Sequence, residues 1–182
     1  MRSARHKIGF ATVLAALLAY AVVCAAAAAP SEYQVKAVFL FNFTQFVEWP
    51  AAAFDDDKDP FVIGVLGKDP FGAYLDDAVR GERVGSRPLV VERYDSLEKI
   101  GEPQILFVGD LATGRPAELE AALSGRNVLT VGDAQGRTGR EVVIGFVSDR
   151  NRIRLRINLK AAQQAGLVIS SKLLRPAEIV GS

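Results

Sequence analysis

The chain has 182 residues, 22 of them Lys or Arg and 21 Asp or Glu, for a formal net charge of +1 at pH 7. So even a balance argues against nucleic acid as the main partner. Its one His and one Cys, His6 and Cys24, both fall in the first 29 residues, which differ in character from the rest.

Those first residues carry Arg2, Arg5 and Lys7, then an apolar run from Ile8 to Val23, then Ala25 to Ala29 with several Ala-x-Ala cleavage sites. Residues 1–29 read as a secretory signal peptide. The competing reading is an uncleaved anchor, because the run extended through the alanines approaches the roughly 20 residues that span a bilayer. The alanine-rich end, with no charged stop after it, favours cleavage. A lipoprotein anchor at Cys24 fits poorly, since Val23 stands where such signals place a small residue. Cleavage leaves residues 30–182 as a single domain, with 19 basic residues against 21 acidic ones. A chain of that size can bury roughly 68–70% of its unfolded surface and needs no staple. Without His or Cys it can build no Ser-His-Asp or Cys-His centre. The usual Cys/His zinc site and disulfides are excluded as well. General acid–base work would fall to carboxylates, Lys or Tyr.

The first element is an aromatic-rich helix from Tyr33 to Pro50, holding Phe39, Phe41, Phe43, Phe46 and Trp49. Ser31 can cap its start, and Glu32 suits the first turn. Pro50 ends it, because the residue before a proline is pushed out of the α region. At 100° per residue, Val35, Val38, Phe39, Phe43 and Phe46 form one stripe, expected to face the core. Asn42 lies within that stripe and needs a hydrogen-bond partner if buried. Phe41 lies on the opposite side, either covered by another element or awaiting a partner. Phe41, Asn42 and Trp49 at the helix end are the candidate contacts with another chain.

Ala51 to Asp59 ends in an acidic run that reads as a solvated loop. It lacks the Gly and the closing Glu of an EF-hand. Phe61–Leu66 is a short apolar run of the kind buried on both sides in a parallel sheet. Asp69 as N-cap and Pro70 at the first helical position predict a helix over Phe71–Arg80. A phosphate loop there fails its own pattern, since Val62 occupies the first Gly position and Asp69 replaces the hydroxyl. Only the bare helix N-terminus speaks for phosphate. Pro88–Tyr94, Gln104–Val108 and Asn127–Val131 read as strands, alternating with helices at Asp95–Lys99 and Arg115–Leu123. That alternation signals β-α-β units and a parallel sheet.

The end differs. Val142–Val147 and Arg152–Asn158 flank a turn at Ser148–Asn151, and strands so close must be antiparallel. Ile153, Leu155 and Ile157 face in; Arg152, Arg154 and Arg156 face out. Three arginines could bind an anionic ligand or an acidic partner. The plainer reading, preferred at this point, is an exposed or edge strand kept soluble by its charges. Leu159–Ala165 is a short helix closed by Gly166, and Leu167–Pro176 finishes the domain. Ser170 or Ser171 with Lys172 suggests a nucleophile and base, but such spacing is common by chance. Asp69 and Asp76 are the carboxylates on which a hydrolase reading would rest. The fold expected is α/β: a mixed, mainly parallel β-sheet flanked by helices on both faces, with a C-terminal antiparallel hairpin.

Three stretches also resemble one family. Lys36 to Pro50 is similar to the Phe-rich opening of YfiR-like periplasmic regulators. Gly64 to Gly72 resembles the segment after that family's first strand. Asn151 to Arg175 looks like its closing strand, helix and tail. The resemblance implies a non-enzymatic periplasmic protein, often a homodimer, that needs no cofactor. It implies restraint of an inner-membrane diguanylate cyclase through its periplasmic domain, so that cyclic-di-GMP output and biofilm formation depend on it. An outer-membrane lipoprotein can relieve that restraint. A second reading keeps the module but makes it a small-molecule sensor or adaptor for a histidine kinase or other membrane protein. The chain departs from the family pattern in three places. Pro103 stands where members often carry a cysteine, Gly139-Arg140 replaces a Gly-Gly pair, and Pro176 interrupts the usual Leu-Ala ending. Disulfide-linked control therefore cannot operate in this domain.

Overall fold

A computed structural model describes residues 30–109, 115–134, 142–150 and 152–181. The expected leader, residues 1–29, lies outside the described residues, as do Gly139-Arg140 and Asn151. Among the described residues no helix is long and apolar enough to cross a membrane.

The domain opens on helix α1 (Glu32–Phe46), which passes directly into a short strand, β1 (Val47–Glu48), and a 3-10 turn at Ala51–Ala53. Next come β2 (Phe61–Leu66), α2 (Ala73–Val79), β3 (Arg83–Val84), β4 (Arg87–Tyr94), a 3-10 turn at Leu97–Lys99 and β5 (Ile105–Val108). Helix α3 (Pro116–Leu123) and β6 (Leu129–Asp133) follow. The end is built from β7 (Ile144–Asp149), β8 (Arg152–Asn158), α4 (Leu159–Gln164), β9 (Val168–Ile169), α5 (Ser171–Leu174) and β10 (Glu178–Val180).

Eight of these strands form one sheet in the order β10-β8-β7-β6-β5-β2-β4-β3. Pairing is parallel from β4 through β2, β5 and β6 to β7. The hairpins β7–β8 and β3–β4 are antiparallel. The expected α/β architecture is therefore present. β2 is an interior strand between β5 and β4, and all of its residues are buried, as a continuous apolar run requires when both faces are covered. The order β4-β2-β5-β6 is that of a doubly wound sheet, which changes direction between β2 and β5.

Two apolar layers enclose the sheet. On one face α1, α2, α4 and α5 cover a cluster built around Leu40, Phe43, Phe61, Leu75, Phe107, Phe146, Ile157 and Leu173. On the other, α3 and the Leu97–Lys99 turn close over Leu66, Leu106, Val108 and Val128. Full burial of a Leu or Phe side chain stabilises by about 1.5–3 kcal/mol, so these layers supply the main driving force.

Several local expectations are corrected. α1 ends at Phe46 rather than Pro50, because Val47 and Glu48 pair antiparallel with Ile169 and Val168. Ser170 N donates to Phe46 O at 2.8 Å and claims the carbonyl that a longer helix would use. The buried face of α1 is Lys36, Ala37, Leu40, Phe43 and Thr44. That face is rotated roughly a third of a turn from the aromatic stripe. Val38, placed in the stripe, is 51% exposed. α2 begins at Ala73, with Gly72 as its N-cap at φ 54. Asp69 caps the preceding turn instead, accepting from Phe71 N at 2.7 Å and Gly72 N at 3.3 Å. β8 is not an edge strand over its second half. β10 pairs with it in parallel from Arg156 to Asn158, so the chain end supplies the edge. β3, β9 and β10 have no counterpart in the sequence reading.

Gly64, in the middle of β2, is a packing requirement. A methyl group there would meet Tyr94 Cε2 at 2.6 Å, Leu106 Cδ1 at 3.0 Å and Pro103 Cβ at 3.1 Å. Gly64→Ala is expected to cost about 2 kcal/mol through overpacking. A shift in the urea midpoint at unchanged slope is the measurement, and an unshifted midpoint would show that the β2–β4 layer yields freely.

Candidate functional site

The most concentrated polar chemistry in the described residues lies where the first turn of α1 meets the carboxyl ends of the parallel strands. A cleft of about 350 Å³ is lined there by Glu32, Tyr33, Lys36, Asp133, Phe146 and Ser148. Helical spacing puts Glu32 and Lys36 one turn apart on α1. Asp133 is the last residue of β6, and Phe146 and Ser148 lie on neighbouring β7. Lys36 is only 2% exposed. Its Nζ lies 2.5 Å from Asp133 Oδ1 and 2.5 Å from Glu32 Oε1. The other oxygen of Asp133 accepts from the Tyr33 hydroxyl at 3.0 Å, and Ser148 Oγ donates to Glu32 at 2.6 Å. Lys36 Nζ also sits 4.5 Å from the centre of the Tyr33 ring and 5.7 Å from that of Phe146. A buried cation against two carboxylates and two aromatic faces is satisfied on every side.

The titration behaviour follows from this geometry. Hydrogen bonds from Lys36 and Ser148 hold the Glu32 carboxyl below the usual carboxylate range. Burial, then the charge of Asp133 and the hydrogen bond to it, pushes the Tyr33 phenol up to about 12. At neutral pH Tyr33 is a fixed donor and Glu32 a fixed acceptor, so neither is poised to exchange a proton. The cluster locks α1 to β6 and β7.

The second polar cluster is Arg93 with Asp69 and Asp76. Arg93 Nε contacts Asp69 Oδ2 at 2.7 Å, and its Nη2 contacts Asp76 Oδ2 at 2.5 Å. The hydrogen bond from Arg93 lowers the Asp76 pKa. That is the wrong direction for a general acid, so the hydrolase reading loses its acid. The same arrangement answers the phosphate question, because the turn before α2 already binds the carboxylate of Asp69. At the switch point itself, Gly109 N donates to Leu66 O at 3.0 Å, and a side chain on Gly109 would collide with that oxygen at 2.5 Å. The β2 and β5 ends are thus stitched together where doubly wound sheets commonly open a crevice. At the opposite ends of the strands a cavity of about 370 Å³ is floored by Phe54, Val62, Pro103 and Val128. Gln104 beside it is fully engaged, accepting from Val62 N and donating to Ala53 O and Glu102 O. Among the described residues no group of three or more His, Cys, Asp or Glu could hold a metal ion.

The six residues singled out from sequence fall in three places. Phe41 is half-buried on the flank of α1, packed against the core beneath it. Asn42 is half-buried and lies on the outward side of α1, near Val38 and Gln45. Trp49 follows β1; its indole Nε1 donates to Gln104 O at 3.0 Å, and its ring meets Phe61 edge-on at 4.9 Å. Arg152 and Arg154 are exposed, whereas Arg156 is half-buried and contacts Glu178 at 3.1 Å. The arginines and the α1 residues lie on opposite faces of the sheet. Ser170, weighed earlier as a nucleophile, caps α5 by accepting from Lys172 N at 3.3 Å. Sequence reasoning missed Lys36 and Asp133 altogether. The available signal was the spacing of residues 36, 37, 40, 43, 44 and 47, a regular helical stripe once a lysine is allowed in it.

The model of the YfiR/HmsC-like family matches residues 33–178. The chain belongs to that family. That family is regulatory rather than catalytic, and periplasmic. The match runs from Tyr33 in the polar cluster to Glu178 beside Arg156, so both ends of the matched region carry residues of these surfaces. No curated protein matches the chain.

Two measurements check the cluster. Lys36→Ala is expected to cost about 3 kcal/mol, as removal of one buried partner does. Lys36→Met, which keeps the packing and lets the half-exposed carboxylates rehydrate, is expected to cost about 1 kcal/mol. Equal losses in urea melts would show that the ion pairs contribute nothing beyond volume. For Tyr33, a folded pKa near 12 against the ordinary 10 means its contribution is complete below pH 10 and lost as pH rises through 12. Absorbance titration near 295 nm, compared with Tyr33→Phe, should lose a phenol that ionises near 12. Loss of one ionising near 10 would contradict the buried contact.

Proposed function

We propose that this protein is a non-enzymatic repressor that binds the periplasmic domain of an inner-membrane diguanylate cyclase, lowering cyclic-di-GMP and biofilm formation. The observation that carries this reading is the family match over residues 33–178. The composition of residues 1–29 supports export by a cleaved signal peptide, which leaves residues 30–182 as the working domain. The pairing of Arg93 with both candidate carboxylates supports a binding role over catalysis.

The working form is a homodimer. Contact with the cyclase or the second copy runs through Phe41, Asn42 and Trp49 on and after α1, and a separate surface through Arg152, Arg154 and Arg156. Two features support α1 as a docking element. Its sequence carries no charged residue between Lys36 and Glu48. Val38, an apolar side chain, stands 51% exposed on its outer side. Helix faces of this kind are suited to burial against another protein. An outer-membrane lipoprotein that binds the same surfaces would relieve the repression by competition.

Deleting the gene should raise cyclic-di-GMP at least severalfold, and restoring the wild-type copy should reverse the rise. An unchanged level in a strain whose cyclases respond to other inputs would sink the cyclase assignment. Phe41→Ala is expected to weaken association, with itself or with the cyclase domain, by tenfold or more, while stability falls by about 1 kcal/mol because the ring is only half-buried. Sedimentation and thermal melting decide it: unchanged association with a large melting loss would make Phe41 a core residue only.

A further inference from the structure

The arginines of β8 stand on a part of the sheet face that α3 does not reach. Cross-strand partners point to the same side, and the register pairs Arg152 with Asp149, Arg154 with Val147 and Arg156 with Gly145. The alternate residues Leu155 and Ile157 pack into the layer beneath α1. The arginines therefore point the other way, toward the layer that α3 covers over β2, β5 and β6. That layer stops short of β7 and β8. Arg154 is 65% exposed, and Arg150, at the hairpin turn, is 95% exposed.

Only part of this strand is a free edge, the stretch from Arg152 to Leu155 that pairs with β7 alone. Over Arg156–Asn158 the strand is flanked on both sides, by β7 and by β10. Four guanidinium groups, on Arg150, Arg152, Arg154 and Arg156, face two carboxylates, on Asp149 and Glu178. The patch keeps an excess of positive charge in a domain whose acidic residues, counted over all of residues 30–182, outnumber its basic ones by 21 to 19. Arg156 is already engaged by Glu178 at 3.1 Å, and its Nε is buried without a hydrogen-bond partner, so Arg152 and Arg154 carry the exposed charge.

We infer that this face is a docking surface for an extended, acidic segment of another protein. Arginines at alternate strand positions repeat at roughly 6.6–6.8 Å. Carboxylates at alternate positions of an extended segment repeat at the same distance, and the guanidinium fork accepts each in a two-point contact. Exposed pairs of this kind are individually weak and salt-screened, so the face sets association rate and register more than final affinity. The inference rests on the reading of the chain as a protein-binding regulator. It adds the partner's chemistry, and it separates this surface from α1 on the other side of the sheet.

The test uses the purified protein and a labelled extended peptide of alternating Glu and Thr, followed by fluorescence anisotropy. Binding should fall at least tenfold between roughly 50 and 300 mM salt. The double reversal R152E/R154E should lose at least tenfold at the lower salt with its melting temperature unchanged, and Arg80→Gln, which removes an exposed arginine at the end of α2, should bind as the wild type does. If the reversal unfolds the hairpin, R152Q/R154Q gives the same comparison at lower risk. Equal binding by the neutralised variant overturns the inference. So does binding to phosphatidylglycerol vesicles without binding to the peptide, which would make the face a membrane contact. The cyclic-di-GMP measurement stays independent: if it fails while the peptide still binds through Arg152 and Arg154, the cyclase assignment falls and the acidic-segment surface stands.

Discussion

The arrangement of the domain depends on the contact between Lys36 and Asp133. A lysine in the second turn of a helix that packs flat on a sheet would normally reach solvent. Here its nitrogen is drawn to the carboxyl end of β6, with both carboxylates at 2.5 Å. Burying an ammonium group without partners costs far more than any single apolar contact returns. The rotation of α1 that satisfies Lys36 is therefore strongly preferred over its neighbours, because a slip of one residue turns the helix by about 100°. That rotation carries Leu40 and Phe43 into the core and leaves Val38 and Asn42 outside. The polar contact thus decides which side of an almost uniformly apolar helix is available to a partner.

The same contact explains where sequence reasoning succeeded and where it did not. The strands β2, β5 and β6 were legible because each is an apolar run bounded by turn residues and buried on both faces, whereas β4 was legible only from Leu89 to Val91 and buries just Leu89 and Tyr94. The β7–β8 hairpin was legible from the strict alternation of Ile153, Leu155 and Ile157 with arginines. The face of α1 was not. Periodicity weighs apolar residues, and Val35, Val38, Phe39, Phe43 and Phe46 gave a stripe that shares only Phe43 with the buried face, which also contains Lys36 and Thr44. β3, β9 and β10 escaped because strands of two or three residues have no pattern of their own; they exist through their partners. The Val168–Ile169 strand forms only because Val47 and Glu48 lie opposite it, and that pairing is what ends α1 early. The arginine strand was read correctly in its alternation and, over Arg152–Leu155, in its place at an edge; over Arg156–Asn158 it is covered by Glu178–Val180, 22 positions downstream, with no signal in common.

Closure of the usual binding position bears on what kind of protein this is. In a doubly wound sheet the point where strand order reverses tends to open a crevice. Here Gly109 brings the β5 end against Leu66, and Asp69 fills the turn before α2 with the protein's own carboxylate. The polar groups near the strand ends are turned inward, Arg93 onto Asp69 and Asp76, Lys36 onto Asp133 and Glu32. What remains unsatisfied lies on the outside: the uncharged flank of α1 and the arginine face of β8.

Those two surfaces sit on opposite sides of a sheet only one strand layer thick, and this restricts how a regulator built on them can work. A packed sheet with cores on both faces is close to rigid, and sites on a rigid body bind independently. Coupling between them would need an element with two discrete arrangements. Among the described residues a chain of polar contacts leads from α1 toward β8 through Glu32 to Ser148 on β7, and the ladder then connects Ser148 to Ile153 on the far strand. That route ends in main-chain hydrogen bonds of a regular antiparallel pair, which have no second arrangement short of losing the hairpin. Under the function proposed above, relief of repression by such a body is steric: one partner displaces another from a shared surface, or two partners occupy the two faces and act through the geometry they impose on each other.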